Sequence, residues 1–66
     1  MMLEIAYTLQ PDKKLEPQES WTYYVTDKTE FNDAVKAATK YFKVFVRENG
    51  WGRRCKLKSI TTLKNK

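Results

Sequence analysis

Four cations stand at Lys36, Lys40, Lys43 and Arg47, spaced four, three and four residues apart. On a helix their side chains fall within about 60° of one another. A second group follows at Arg53, Arg54, Lys56 and Lys58. The chemistry open to such groups is charge-assisted hydrogen bonding to phosphate oxygens or carboxylates. Covalent and metal chemistry have far less to work with. The chain has no histidine and one cysteine, Cys55, which excludes a cysteine–histidine metal site and an intrachain disulfide. Most of its eight carboxylates cluster at cap and loop positions, and Asp27, Glu30 and Asp33 read as acids of a first helical turn. No nucleophile–base pair or Gly-rich phosphate loop is present. The expectation is a non-enzymatic binding protein with no catalytic residue, no cofactor and no metal.

The basic groups are concentrated in one half of the chain. Residues 1–33 carry seven acids and three bases, a net charge of −4. Residues 34–66 carry ten bases and one acid, Glu48, a net charge of +9. Such asymmetry points to a polyanionic or acidic partner.

Regular elements must position these groups. Leu3, Ile5, Tyr7 and Leu9 alternate with Glu4, Ala6 and Thr8, the period of a half-buried strand, over about 2–9. Gln10–Ser20 is polar, contains Pro11 and Pro17, and reads as an exposed loop. Trp21–Thr26 is aromatic and β-branched and reads as a second strand. Its Trp21, Tyr23 and Val25 are expected to face the core, with Thr22, Tyr24 and Thr26 on the other side. Asp27 and Glu30 have the spacing of a capping box. Phe31, Ala34, Val35, Ala38, Tyr41, Phe42, Phe45 and Val46 then share one helical face, predicting a helix over about 28–49 that Gly50 closes. Residues 53–62 read as a third strand, with Cys55 and Leu57 inward and Arg54, Lys56 and Lys58 outward. Ile60 is out of phase, which predicts a bulge or an early strand end near Ser59. Residues 64–66 are expected to fray.

The fold class is α+β, a single domain over residues 1–66. A three-stranded antiparallel sheet of β-β-α-β sequence and order 2-1-3 carries one long amphipathic helix on one face. A right-handed crossover through the helix returns the third strand beside the first. The helix is expected to pack on Leu3, Ile5, Tyr7, Trp21, Tyr23, Val25, Cys55 and Leu57.

Two surfaces then compete as the contact face. Lys36, Lys40, Lys43 and Arg47 form a track for a phosphate backbone, or an ordinary solvated face with cations suited to the helix macrodipole. Arg54, Lys56 and Lys58, beside Tyr24, Thr22 and Thr8 on the open sheet face, have the stacking-plus-phosphate composition of several nucleic-acid binders, or are simply solvated. Between them, Trp51 either stands exposed to stack on a base or partner, or folds back on Val46 as the hydrophobic contact of a Schellman motif. Arg53 and Arg54 beside it are the foremost contact candidates. The helix is longer than the strands, so Tyr41, Phe42, Phe45, Val46 and Trp51 overhang. Either the Gln10–Ser20 loop covers them or a homodimer or protein partner does.

The N-terminus has no basic leader, and the most apolar window, Tyr41–Val46, is interrupted by Lys43. A cytoplasmic protein with no membrane partner is expected. In size and architecture the chain resembles small phage-encoded proteins, among them host-enzyme inhibitors such as anti-CRISPR proteins. That resemblance covers no motif and transfers no site. It implies an inhibitor or adaptor, in a host cytoplasm, docked on an acidic or nucleic-acid-processing host protein. The residues themselves point first to nucleic acid, DNA or RNA, held through the Lys/Arg patch of the helix and third strand.

Overall fold

The structure, a computed structural model, describes residues 1–63, so the expected fraying of 64–66 lies outside the described residues. Strand β1 spans Met2–Leu9, β2 Gln18–Val25, helix α1 Phe31–Glu48 and β3 Cys55–Thr62, with one turn of 3-10 helix at Gly52–Arg54 before β3. The sheet order is β2-β1-β3, and both pairings are antiparallel. This is the expected α+β architecture. The helix is three residues shorter than expected at its start and one at its end. Arg53 and Arg54 belong to the 3-10 turn rather than to β3.

The core lies between α1 and the central strand. Leu3, Ile5, Tyr7, Ala34, Ala38, Phe42 and Cys55 are buried, and Leu9, Tyr24, Tyr41, Phe45, Val46, Trp51 and Ile60 pack around them half-buried. Ala34 and Ala38, one turn apart, are fully buried. Their small side chains let the helix backbone approach the sheet closely, while Phe42 fills the space further along. Helix α1 lies over β1 and β3. Strand β2 is left to one side.

The capping box does not form. Glu30 occupies the N-cap position without a side-chain bond to the helix. The preceding turn is organised by Thr26, whose Oγ1 accepts the Lys28 N–H at 3.2 Å. Asp27 therefore lies outside the helix. At the other end a full Schellman motif is present. The Trp51 N–H donates to the Val46 carbonyl at 3.2 Å and the Gly50 N–H to that of Arg47 at 3.1 Å, with Gly50 at φ 68°.

The facing of β2 is the reverse of the expected one. Leu3 opposes Tyr24, Ile5 opposes Thr22 and Tyr7 opposes Ser20. Directly opposed residues project on the same side of a sheet. Tyr24 thus turns inward and packs against Tyr41, the two rings tilted at a 5.0 Å separation. Trp21, Tyr23 and Val25 turn outward and are 53%, 54% and 68% exposed. Both faces of β2 carry aromatic residues, so its own pattern does not choose between them; pairing with the strongly sided β1 does.

In β3 the expected bulge is present. Ala6 pairs with Ser59 but Tyr7 with Leu57, leaving Lys58 as the extra residue. The shift of phase turns Ile60 inward opposite Ile5, whereas Leu57 is 41% exposed rather than core.

Candidate functional site

The cations of the second half occupy three places in a two-layer molecule. Lys36, Lys40, Lys43 and Arg47 project from the exposed side of α1, away from the buried Ala34, Ala38 and Phe42. Over eleven residues of helix the row extends on the order of 16 Å. Lys56 opposes Thr8 and so lies on the sheet face away from the helix. Lys58, from the bulge, reaches across β1 to pair with Glu19 on that same outer face. Arg53 and Arg54 stand in the 3-10 turn at the end where the layers join. The helix row and the β3 lysines therefore point in opposite directions and cannot meet one flat partner together.

Their electrostatic situations also differ. Lys58–Glu19 is the one ion pair among the described residues. Arg54 is engaged structurally. Its Nη1 donates to the Pro11 carbonyl at 2.8 Å, and its own carbonyl accepts the Gln10 N–H at 2.9 Å. These bonds fasten the start of the loop between β1 and β2 to the start of β3. None of the four helix cations is paired with a carboxylate among the described residues.

The fold adds a fifth cation that the charge count had assigned to the acidic half. Lys28, in the turn before α1, lines an open depression of about 390 Å³ together with Asp33, Lys36, Ala37 and Lys40. The depression has no aromatic wall and does not resemble a small-molecule pocket. It extends the helix row by one ammonium group, with Asp33 its local counter-charge. No sequence periodicity links Lys28 to Lys36; the turn brings them together.

Trp51 is half-buried in an aromatic cluster. Its ring lies 5.4 Å from Phe45 in an edge-to-face arrangement and 6.0 Å from Tyr7 in a stacked one. Tyr7 in turn contacts Phe42 at 5.5 Å and Phe45 at 5.9 Å. These contacts close much of the overhang. Phe42 is buried, while Tyr41, Phe45 and Val46 are half-covered by rings from the sheet and the helix turn. The loop does not provide that cover. It ends at Pro17, because Gln18–Ser20, expected within it, pair with β1 as the start of β2. Its residues 11–17 are exposed, Leu15 at 52%.

Two groups have altered acidities. Burial raises the Tyr7 phenol, reinforced by the charge of a Cys55 thiolate and partly opposed by a hydrogen bond with Ser20. Burial likewise raises the Cys55 thiol. Both changes favour the neutral forms, the reverse of what an activated nucleophile requires. Among the described residues no three His, Cys, Asp or Glu side chains gather into a metal-binding group. Nor is any helix among them long and apolar enough to cross a membrane.

The arrangement is open to contact on two surfaces. It offers a row of unpaired cations on the helix and an aromatic ridge of Trp21, Tyr23 and Val25 on the outer sheet face. The sequence pattern concealed that ridge. No protein-family model, curated protein or solved structure matches this chain.

Proposed function

We propose that this protein binds nucleic acid by its phosphate backbone, through the exposed face of α1. Lys36, Lys40, Lys43 and Arg47 form the contact row, and Lys28 extends it. The observation that carries this reading is the row itself: four cations on one rigid helix face, none paired with a carboxylate among the described residues. Every paired carboxylate costs a cation its counterion-release contribution, so an unpaired row is the form in which positive charge is most useful for phosphate binding. A row of about 16 Å can face several phosphates of a duplex, which carries one charge per roughly 1.7 Å of axis. This face has no aromatic row on which bases would stack, so the expected grip is on phosphates and indifferent to sequence.

A mobility-shift titration with duplex DNA and duplex RNA at low salt tests the proposal. Four neutralised phosphates give a log–log salt slope of about −3.6 on DNA. The double variant Lys40→Glu/Lys43→Glu should abolish the shift, and Lys56→Glu, on the opposite layer, should leave most of it. Absence of any complex at low salt, or equal loss in both variants, would overturn this assignment of the face.

A further inference from the structure

We infer that β2 is a self-association strand, along which two copies of this chain join into a continuous six-stranded antiparallel sheet. The inference is independent of the nucleic-acid reading and rests on a different surface.

Strand β2 is open on its outer face and along its free edge, and only partly covered on its inner face. Its outer residues Trp21, Tyr23 and Val25 are more than half exposed. Its inner residues Ser20, Thr22 and Tyr24 are only half-buried, because α1 lies over β1 and β3. Its free edge is unprotected. The opposite edge, β3, carries Lys56 and Lys58 and the bulge at Lys58, devices that deter strand pairing. Residues 18–25 contain no lysine, arginine or proline, and the β1–β2 register is unbroken.

The backbone sets the register of a second copy. Met1 and Thr26 exchange both backbone bonds, at 2.7 and 2.9 Å. Such pairs alternate along an antiparallel ladder, so the even-numbered residues of β2 direct their N–H and C=O groups to β1. Glu19, Trp21, Tyr23 and Val25 direct theirs to the open edge. A second β2 must bond to those four residues. Antiparallel pairing centred on Thr22 does so over the whole strand, setting Trp21 against Tyr23 of the second copy, Tyr23 against its Trp21, and Glu19 against its Val25. Two aromatic pairs then form on the outer face.

Charge favours a second copy over a nucleic acid here. The nearest charged neighbours of the ridge are acidic: Glu4 opposes Tyr23, and Glu19 lies on the strand itself. Of the two β3 lysines on this side, Lys58 is already paired with Glu19, and Lys56, opposite Thr8, stands across β1 from the ridge. A polyanion would meet carboxylates, whereas in the self-paired register no two like charges are opposed. Four half-exposed aromatic rings supply on the order of 400 Å² of contact. That is below the roughly 1,000 Å² of a stable interface, so the backbone ladder must contribute and the dimer should depend on concentration. Both helices would lie on one face of the joined sheet, flanking β2, with the two β1 strands about 14 Å apart.

Sedimentation equilibrium on the intact chain, without nucleic acid, should show the mass rising from 7.9 kDa towards twice that value with concentration. Trp21→Lys/Tyr23→Lys sets lysine against lysine across the two-fold while leaving Glu4 a favourable neighbour within the monomer. This variant should keep its circular dichroism and remain a monomer. Mixed with Trp21→Glu/Tyr23→Glu, it should recover the doubled mass. A second measurement avoids altering the ridge: in a Cys55→Ser background, Thr22→Cys should form an intermolecular disulfide on oxidation and Ser20→Cys should not. Opposed Thr22 residues would have Cα atoms about 4.5 Å apart, within the range a disulfide spans. A monomer up to about millimolar concentration overturns the inference, as does a dimer unaffected by the lysine pair or equal cross-linking through Ser20→Cys. Quenching of Trp21 fluorescence by a single-stranded oligonucleotide, in a chain that stays monomeric, would assign the ridge to bases instead.

Discussion

Strands β2 and β3 are each eight residues long, pair antiparallel with the same central strand and are both largely exposed, yet they meet the helix differently. By residue type, β2 is the stronger strand, built around Trp-Thr-Tyr-Tyr-Val. Strand β3 contains two lysines and a bulge. It is nevertheless β3 that shares the helix with β1, beginning at buried Cys55 and returning inward at Ile60. Strand β2 directs most of its apolar surface to solvent. The contrast teaches that strand propensity and strand burial are separate matters. The first follows from side-chain shape, the second from where the helix lies and which register the central strand imposes.

The most direct way to break this comparison is by truncation. Ile60→Ala removes a half-buried side chain opposite Ile5 and should cost about half of the ~2–5 kcal/mol lost at a fully buried site. Val25→Ala, on the uncovered strand, should stay within about 0.5 kcal/mol of the parent. Urea unfolding of the two variants measures both, and equal losses would show that β2 is as well covered as β3. A smaller effect concerns the ion pair across the outer face. Lys58→Ala should cost about 0.2–1 kcal/mol, because its pair with Glu19 is half-exposed. The loss should shrink in high salt. A cost unchanged by salt would mean that the bulge, not the ion pair, holds this lysine in place.

The smallest expected effect is a dependence on pH that marks the covered side alone. The Cys55 thiol is raised above its ordinary 9.0 by burial. Above that pH the unfolded chain releases the proton before the folded one does, so stability is complete below pH 9.0 and declines as pH rises past it. Melting temperatures measured on either side of pH 9.0 should reveal the decline, and Cys55→Ala should reduce it. Tyr7, raised from 10.0, adds a second decline at higher pH. Melting that is flat through this range would contradict the burial of the Cys55 thiol.

Much of the fold was legible because its signals were local and redundant. The helix combines eight apolar positions at helical spacing with a terminating Gly50. Gly50 closes it, and all eight but Phe31, which is 44% exposed at the helix start, are buried or half-buried. Ile60 falling out of phase signals a bulge or an early strand end near Ser59, and the register places a bulge at Lys58. The sheet order followed from connection rules. The capping box was not realised because Thr26 organises the turn instead, a competition among neighbouring side chains that spacing does not settle. The candidate contact residues were legible as charges but not as a surface. Sequence order placed Lys36–Arg47 and Arg53–Lys58 in one basic half, while the two-layer fold sends the helix row and the β3 lysines to opposite sides. The same fold brings Lys28 beside Lys36 and Lys40, and turns Arg54 to the loop carbonyl of Pro11.

By itself the amino-acid sequence determined the elements, the helix face that would be apolar, the row of cations opposite it, and the break in phase of β3. Each of these depends on the spacing of side chains along a backbone of known period. Tertiary structure alone decided which face of β2 meets the core, which cations share a surface, and which strand is left uncovered. Those outcomes depend on register and on the position of one helix over three strands, and both are set by contacts between residues distant in the chain.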